Sequence, residues 1–307
     1  MSVMTVMGPI DDDALGLTLP HEHFQLDLFR MSRSPDGYVN DLGLAIKEAR
    51  TFQSYGGRTI VDLTTDDFGR NPATFVQIAN EANLNIIMGC GHYRNPYLPA
   101  SLERPSVRAV TDWILHEIEN GVGETGVRPG VIGENGVERE WVTPLEERAL
   151  RGAARARAAT GLPMSLHATR TTIGLDLLTI IEDEGVDLRQ VVLSHCDNYP
   201  DPDFHETVAR RGAYVEFDRN DPRLGWEQKR RVGLMRELAD RGYLNSILVS
   251  HDICHISERA EYGGPGYTYV ITDMLNMMRD AEFSQEEIDT ILYENPRRWL
   301  SGNVNVA

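Results

Sequence analysis

The feature that most constrains the fold of this chain is a regular alternation between short apolar runs and longer segments with helical periodicity. The apolar runs predict strands at 17–20, 59–63, 85–88, 130–132, 163–166, 190–193, 213–217 and 246–249. The segments between and after them predict helices at 41–55, 72–83, 105–120, 144–160, 172–185, 203–211, 227–242 and 267–280. Eight strands that are each followed by a helix predict an α/β fold of the (β/α)₈, or TIM-barrel, class. A doubly wound open sheet shows the same alternation, so the pattern alone leaves that alternative open.

Two of the predicted helix starts carry recognisable capping residues. Thr143 and Ser284 each precede an acidic first turn, where their hydroxyl groups can accept hydrogen bonds from exposed N–H groups. The sequence shows no linker, repeat or low-complexity segment. One barrel can absorb all 307 residues, and we expect a single domain over 1–307.

Composition limits the class of partner. The 47 acidic residues outnumber the 30 basic ones, and this net charge of -17 opposes binding to nucleic acid, which depends on Lys and Arg contacts with phosphates. No run approaches the roughly 18 apolar residues of a membrane helix, and the first 16 residues lack the apolar core of a secretory signal. We therefore expect a cytoplasmic protein, without a membrane partner, that acts on a small molecule. Cys90, Cys196 and Cys254 are widely spaced and are predicted to be free thiols.

The segment Pro20-His21-Glu22-His23 places two histidines at the end of the first predicted strand. Residues two positions apart on a strand point to the same face, so His21 and His23 can bind one cation together. Such a pair is weak evidence by itself in a chain with nine histidines. Its position at a strand end is what gives it weight.

Four other predicted strands also end in side chains that can bind metal. Glu134 follows the fourth strand, His167 the fifth, His195 the sixth and Asp252 the eighth. Barrel enzymes place their catalytic residues at the C-terminal ends of the strands. One buried histidine there would more often be a hydrogen-bonded core residue, but six such side chains on one rim predict a metal site. Histidine and carboxylate ligands suit zinc and similar cations, and six are enough for two ions.

Several short motifs occur in a specific order over nearly the whole chain. They are Leu19-Pro20-His21-Glu22-His23, Gly89-Cys90-Gly91-His92-Tyr93-Arg94-Asn95-Pro96-Tyr97, Gly133-Glu134-Asn135-Gly136, Leu166-His167, Leu193-Ser194-His195-Cys196, Val249-Ser250-His251-Asp252 and Glu294-Asn295-Pro296-Arg297-Arg298. In this order and spacing the chain resembles the phosphotriesterase-like branch of the amidohydrolase superfamily, in its glutamate-bridged, lactonase-like subgroup. Asn135 departs from the isoleucine that the resemblance leads us to expect.

The resemblance implies a binuclear metal centre. By that likeness, His21, His23 and Asp252 would hold the more buried cation, His167 and His195 the more exposed one, and Glu134 would bridge the two together with a hydroxide. Many relatives bridge with a carboxylated lysine, but Lys47 and Lys229 are the only lysines and neither lies near the fourth strand. Zinc is the expected metal, and Mn, Co or Fe would also suit these ligands. Because such relatives are often homodimers, the resemblance also makes a homodimer the expectation.

The implied reaction is hydrolysis. A water between two dications loses its proton near neutral pH, and Asp252 would act as the catalytic residue that accepts the proton and passes it to the leaving group. The likeness to lactonases at 217–219 and 250–254 favours a carboxylic ester, above all a lactone, including a sugar or phosphorylated sugar lactone. Phosphotriesters and amides are alternatives for the same centre. A metal-stabilised barrel that binds a small ligand without turnover is the alternative of another class.

The loops after the third, seventh and eighth strands are expected to line the substrate pocket. Their candidate residues are His92, Tyr93, Arg94, Tyr97, Asp218, Arg219, His255 and Arg259, of which Tyr93, Arg94, Tyr97, Arg219, His255 and Arg259 are the predicted substrate-binding residues. Guanidinium groups bind carboxylates and phosphates bidentately. His116 and His205 fall within predicted helices, where we expect both to be solvated.

Overall fold

Eight parallel strands form one sheet that curls into a nearly closed barrel in the computed structural model, which describes residues 1–302. The strands are β1 (Leu17–Glu22), β2 (Gly57–Asp62), β3 (Asn85–Cys90), β4 (Val131–Val137), β5 (Met164–Ala168), β6 (Val191–Ser194), β7 (Tyr214–Phe217) and β8 (Ile247–Val249). Their order in the sheet is their order in the sequence. A doubly wound sheet would reverse its strand order partway, so the predicted (β/α)₈ barrel is confirmed. The final residues of the predicted domain, 303–307, lie outside the described residues.

Helices connect the strands and cover the outside of the barrel. They are α1 (Leu42–Ser54), α2 (Pro72–Ala82), α3 (Val107–Asn120), α4 (Pro144–Thr160), α5 (Ile173–Asp183), α6 (Pro202–Arg210), α7 (Trp226–Leu238), α8 (Asp273–Asp280), α9 (Gln285–Asp289) and α10 (Asn295–Ser301). Two short antiparallel strand pairs lie outside the barrel sheet, Ser2–Thr5 with Gly8–Asp11 and Leu26–Asp27 with Tyr38–Val39. Within residues 1–302, none of the helices combines the length and the apolar character needed to cross a bilayer.

The two predicted helix caps are present. Thr143 and Ser284 each form a capping box, with Glu146 and Glu287 respectively at the third helical position. In each box the hydroxyl accepts from the glutamate's backbone N–H while the glutamate side chain accepts from the capping residue's own N–H. These reciprocal bonds satisfy donors that the first helical turn would otherwise leave exposed.

The predicted helix at 267–280 is too long, because α8 begins only at Asp273. The backbone N–H of Val270 donates to His251 Nε2 at 3.0 Å. The hydroxyl of Tyr267 donates to the carbonyl of His23 at 2.8 Å. These contacts hold residues 267–272 against the barrel mouth, where only a short 3₁₀ turn, Tyr269–Ile271, forms ahead of α8.

The barrel closes between β1 and β8 through a mixture of backbone and side-chain bonds. The N–H of Asp252 donates to the carbonyl of His21 at 3.2 Å, and the N–H of His21 donates to Ser250 Oγ at 3.2 Å. The first and last strands are therefore joined at their C-terminal ends, beside the predicted metal ligands.

Apolar residues fill both faces of the sheet. Val61 on β2 and Val192 on β6 belong to one buried cluster although their strands are not neighbours, so they meet inside the barrel. Trp299 of α10 joins this inner cluster and is fully buried. The alternate residues, such as Ile60 and Val191, belong to the larger cluster that packs the sheet against the helices.

The two helical histidines have different surroundings. His116 is exposed, as expected. The expectation for His205 was wrong, since it is fully buried on α6, where its Nε2 donates to the carbonyl of Cys196 at 2.8 Å. A buried ring nitrogen needs such a partner, and the helical pattern gave no sign of it.

Candidate metal centre

The six predicted metal ligands meet at the C-terminal end of the barrel. They are His21, His23, Glu134, His167, His195 and Asp252, and each is at most 6% exposed. Glu134 lies inside β4, which is longer than predicted. The pairing of β4 with β5 shifts register between Ile132 and Asn135, and a bulge of this kind changes which face the following residues present. This irregularity allows Glu134 to point into the barrel, where it contacts three of the other ligands.

One group of ligands lies between the ends of β1 and β8. His21, His23 and Asp252 offer ligand atoms that all lie within 4.8 Å of one another. Asp252 Oδ1 lies 3.2 Å from His23 Nε2 and 3.7 Å from His21 Nε2. Two imidazoles and a carboxylate in this arrangement are a suitable donor set for one divalent cation.

A second group shares Glu134 with the first. Glu134 Oε1 contacts His167 Nδ1 and lies 2.9 Å from His195 Nε2. The other oxygen, Oε2, lies 3.7 Å from His21 Nε2 in the first group. The carboxylate of Glu134 thus lies between the two groups with one oxygen directed at each.

The donor atoms lack enough hydrogen-bond partners of their own. His21 Nε2 is buried and has no hydrogen bond within residues 1–302. His167 Nδ1 and His195 Nε2 lie 2.8 Å apart, with the same carboxylate oxygen beside both. A buried polar atom without a partner costs about 1–3 kcal/mol, and cations between these atoms would supply the missing partners. The residues present therefore fit a pair of divalent cations.

A second layer of acids orients the histidines. Asp218 Oδ1 accepts from His195 Nδ1 at 2.9 Å, and Asp218 Oδ2 lies 3.0 Å from His21 Nδ1. Glu216 Oε2 also lies 3.2 Å from His21 Nδ1. A proton held on Nδ1 leaves the lone pair on Nε2, so these acids direct both rings towards the centre.

Sequence reasoning missed the role of this layer. Asp218 was expected to line the pocket, but it is fully buried beneath the histidines, and Glu216 was not identified at all. The signal was available in the spacing of Glu216 and Asp218, which places both at the end of β7 on one face. Thr64, which contacts His23 Nδ1 at 2.8 Å, had no comparable signal.

The two histidines of the second group have opposite protonation behaviour, because both are buried but Asp218 contacts only His195. Burial lowers the pKa of His167 to about 4, so this ring is neutral at pH 7. Burial also opposes the charged form of His195, but the charge and hydrogen bond of Asp218 outweigh it and raise the pKa of His195 to about 10. In the metal-free protein, cation binding through His195 Nε2 would therefore release a proton.

A cavity of about 300 Å³ opens above the centre. Four of the predicted substrate-binding residues line it together with His167, His195 and Asp252, namely Tyr93, Arg94, Arg219 and His255. It is also lined by Arg170 and Asn198, which follow β5 and β6, and by Arg231 on α7. None of the three was predicted, because the sequence pointed only to the loops after the third, seventh and eighth strands. The ring of Tyr93 packs edge-on against His167 at 5.0 Å, which closes one wall of the cavity beside the second ligand group.

Two other predicted substrate-binding residues lie outside this cavity lining. Arg259 is 1% exposed and donates to Glu48 at 3.1 Å and to the carbonyl of His23 at 3.1 Å. Tyr97 is buried, and its hydroxyl donates to the carbonyl of Leu28 at 3.0 Å. The hydrogen bonds of both side chains stabilise the loops around the mouth of the barrel and leave these side chains outside the cavity lining. His92 likewise lies outside the cavity and pairs with Asp67.

Arg219 and Asp252 form an ion pair at the cavity floor. Arg219 Nη1 lies 2.8 Å from Asp252 Oδ2, and Arg219 Nη2 lies 3.1 Å from Glu258 Oε1. Burial raises the pKa of Asp252, but the Arg219 charge and the histidine contacts outweigh it, so that the pKa lies well below its usual range. Asp252 is therefore a carboxylate at neutral pH, with Oδ1 facing the histidines and Oδ2 held by Arg219.

Known proteins match the sequence of this chain over most of its length. Residues 1–300 match the family model of the Phosphotriesterase family. The Phosphotriesterase homology protein of Escherichia coli is 32% identical over 288 residues, which cover 94% of this chain and 99% of that protein. An N-acetyltaurine hydrolase from Dictyostelium discoideum is 30% identical over 275 residues, covering 86% of this chain and 74% of the relative.

Solved structures share the fold. The E. coli protein, in a crystal structure with phosphate in its active site, superposes with a TM-score of 0.90 at 32% identity, over 94% of this chain and 99% of that one. A lactonase from Listeria monocytogenes superposes with a TM-score of 0.91 at 25% identity, over 98% of this chain and 99% of the lactonase. The sequence match over 300 residues and the shared barrel agree with the resemblance in the strand-end motifs. The chain belongs to the phosphotriesterase family.

Proposed function

We propose that this chain uses a pair of divalent cations to hydrolyse a small carboxylic ester, and that the favoured ester is a lactone. The observation that carries the proposal is the position of Glu134 between two groups of histidines. One of its oxygens lies 2.9 Å from His195 Nε2, and the other lies 3.7 Å from His21 Nε2. A shared carboxylate of this kind suits two cations held side by side.

The residues that would hold the cations are the two ligand groups described above. His21, His23 and Asp252 would hold one, His167 and His195 the other, and Glu134 would contact both. When bound, such a pair supplies an acidified water and a Lewis acid for the substrate oxygen. Zinc is the expected metal, and Mn, Co or Fe would also accept this donor set.

Asp252 is the proposed proton acceptor. Its Oδ1 faces the ligand groups and the cavity floor, where an attacking water would lie, while Arg219 holds Oδ2 at 2.8 Å. Because Arg219 favours the ionised form, Asp252 accepts a proton only briefly and releases it to the leaving alkoxide. Arg219 thereby acts as a positioning residue for Asp252.

Amide hydrolysis is the second candidate. It is favoured by the relatives named N-acetyltaurine hydrolase, one of which is 30% identical over 86% of this chain. The lactonase is 25% identical over 98% of this chain. Both reactions begin with attack of a water on a carbonyl carbon, so the same centre serves either one.

The first test is metal content per chain, measured by plasma mass spectrometry on protein purified without added metal or chelator. We expect about two ions in the native protein and about one in His167→Ala, which removes a ligand of the second group. His116→Ala is the matched control, because His116 is exposed on α3 and should leave the content unchanged. A folded native protein that neither contains metal nor takes it up from zinc or manganese buffers would rule out the centre.

The second test separates an enzyme from a barrel that only binds metal. Asp252→Asn keeps the shape of the side chain but removes its basicity, so we expect kcat to fall by about 10²–10⁴-fold with the fold retained. Activity is measured on lactones, N-acyl amides and phosphotriesters with the metal-loaded protein. Unchanged turnover in the variant would show that Asp252 is not the proton acceptor, and no turnover of any substrate class would favour the binding barrel.

A further inference from the structure

The cavity above the metal centre contains four arginines, and three of them are paired with acids. Arg94 Nη1 lies 2.8 Å from Glu138. Arg219 pairs with Asp252 at 2.8 Å and with Glu258 at 3.1 Å, as described above. These two guanidinium charges are thus largely neutralised before a substrate enters.

Arg231 and Arg170 are the other two arginines that line the cavity. Arg231 Nε lies 3.3 Å from Asp197 Oδ2, so its charge is neutralised as well. Arg170, by contrast, forms no ion pair or hydrogen bond through its side chain within residues 1–302, and it is exposed. Among the cavity's arginines in the described part of the chain, Arg170 alone offers an unpaired charge to a ligand.

Arg170 follows closely in sequence on a predicted metal ligand. It lies three residues after His167, in the loop between β5 and α5, with a φ of 63°. This left-handed conformation is uncommon for residues other than glycine and costs about 1–3 kcal/mol. The strain is retained at the point where the chain leaves the metal ligand and presents a cationic side chain to the cavity.

The amide of Asn198 complements this charge. Asn198 lies just after His195 and lines the same cavity, and its side chain forms no hydrogen bond within the described residues. A free guanidinium and a free amide that follow the neighbouring strands β5 and β6 match an oxyanion, since guanidinium donates two parallel N–H bonds to carboxylate, sulfonate or phosphate oxygens. In a chain with a net charge of -17, an anionic substrate also needs such a local cation to enter the cavity.

We propose that Arg170 binds an oxyanion that the substrate carries away from the scissile bond, so that the enzyme prefers anionic esters or amides over neutral ones. The proposal rests on the proposed hydrolase function of the same cavity. The shared chemistry is the oxyanion, and a carboxylate, a sulfonate and a phosphate are the three forms that the experiment distinguishes.

The test compares substrates that differ only in this group. The probes are N-acetyl-2-aminoethanesulfonate, N-acetyl-β-alanine, N-acetyl-2-aminoethyl phosphate and, as the neutral analogue, N-acetyl-2-aminoethyl methyl sulfone. For Arg170→Gln in the metal-loaded protein, we expect kcat/KM to fall by about 10- to 100-fold on the preferred anion and by less than about twofold on the sulfone. Arg170→Lys should recover part of the loss, because it restores the charge but not the planar fork.

The matched control is Arg108→Gln, which removes the same charge from an exposed position on α3 outside the cavity. It should leave the preference for anions unchanged. Equal losses on the charged and neutral probes in Arg170→Gln, or no loss on either, would overturn the role of Arg170 while leaving the hydrolase intact.

The proposal remains testable even if none of the amides is turned over. Calorimetric titration of the metal-loaded protein then gives Kd for each probe. Binding of one anion that is at least tenfold tighter than binding of the sulfone, and that weakens in Arg170→Gln, supports the subsite. Equal affinities of wild type and Arg170→Gln for every anion would refute it, independently of whether the Asp252 tests succeed.

Discussion

Glu22 and His251 join the first and last barrel strands although 229 residues separate them. Glu22 Oε1 accepts from His251 Nδ1 at 2.7 Å and from the His251 backbone N–H at 2.9 Å. The same oxygen accepts from Ser250 Oγ at 2.8 Å, and Oε2 accepts from the N–H of Ile253 at 3.0 Å. One fully buried carboxylate thus receives four donors around the turn that carries Asp252.

Replacing Glu22 by Gln should therefore destabilise the barrel. The amide offers one acceptor oxygen in place of two, so a donor of the β8 turn loses its partner and the free energy of unfolding falls by about 2–4 kcal/mol. Chemical denaturation monitored by circular dichroism measures the change. Glu119→Gln, which changes an exposed acid on α3, should change it by less than about 0.5 kcal/mol. A Glu22→Gln variant as stable as the wild type would contradict the closing role of this carboxylate.

Replacing Asp218 by Asn should weaken metal binding. The amide can accept from His195 Nδ1 or from His21 Nδ1 but not from both, so either His195 loses its acceptor or His21 is left with Glu216 alone. We expect metal affinity to fall by about 10–100-fold, measured by competition with a chromogenic chelator. Asp67→Asn is the control, because Asp67 holds His92 at 3.0 Å in the same manner away from the ligands. Equal affinity in wild type and Asp218→Asn would show that this acid does not orient the histidines.

Removing the metal should lower the thermal stability. A ligand that binds only the folded state at 1,000 times its Kd contributes about 4 kcal/mol. Each kcal/mol shifts Tm by about 1.5 °C in a chain of 307 residues, because the entropy of unfolding grows with chain length. We expect chelation to lower Tm by about 6 °C for each cation removed, and zinc or manganese to restore it in differential scanning calorimetry. Chelation should lower the Tm of His167→Ala by about half as much as that of the native protein, because the variant retains only one complete ligand group. The same Tm with and without chelator would argue against a structural contribution from bound cations.

Stability at acidic pH should depend on Glu184, which links α4 to the end of α5. Arg155 Nε lies 2.6 Å and Arg151 Nη1 2.9 Å from its oxygens. The hydrogen bond from Arg155, with support from Arg151, lowers the pKa of Glu184 below its ordinary value of 4.5. The associated stability is therefore present above pH 4.5 and is lost as pH falls through the lower pKa of the folded state.

The variant Glu184→Gln tests this dependence. It should reduce the free energy of unfolding by about 1 kcal/mol at pH 7, and the difference from wild type should shrink as the pH falls below 4.5. Denaturant titrations at several pH values measure it, with Asp183→Asn, a more exposed acid near Arg151, as the control. A difference that grows at low pH would reverse the sign that the ion pairs require.

Much of the site could be predicted from the sequence, because it depends on which residues directly follow each strand along the chain. Polar side chains placed just after apolar strands must collect at one end of a parallel barrel, and His167 and His195 do meet there, 2.8 Å apart. Glu134 was identified from its position near a strand, although the strand extends past it. Asn135, in place of an isoleucine, lies buried there and accepts from the N–H of His92 at 3.0 Å.

The residues of the pocket wall were harder to predict from the sequence. Arg94, Arg170 and Arg259 are alike as isolated residues in loops after strands, yet the structure pairs the first with Glu138, leaves the second unpaired in the cavity and buries the third against Glu48. The direction of a long side chain is set by neighbours that are distant in sequence, so periodicity carries no information about it.

The sequence by itself determined the alternation of eight strands with helices and the row of ligand-forming side chains at the strand ends, because these follow from the spacing of apolar and polar residues along the chain. The order of the strands in the sheet then decided for the closed barrel over a doubly wound sheet. Only the tertiary structure decided that Glu22 holds His251, that Asp218 orients two histidines and that Arg170 is free. Those contacts form between segments brought together by barrel closure, and their energies depend on distances that no local pattern specifies.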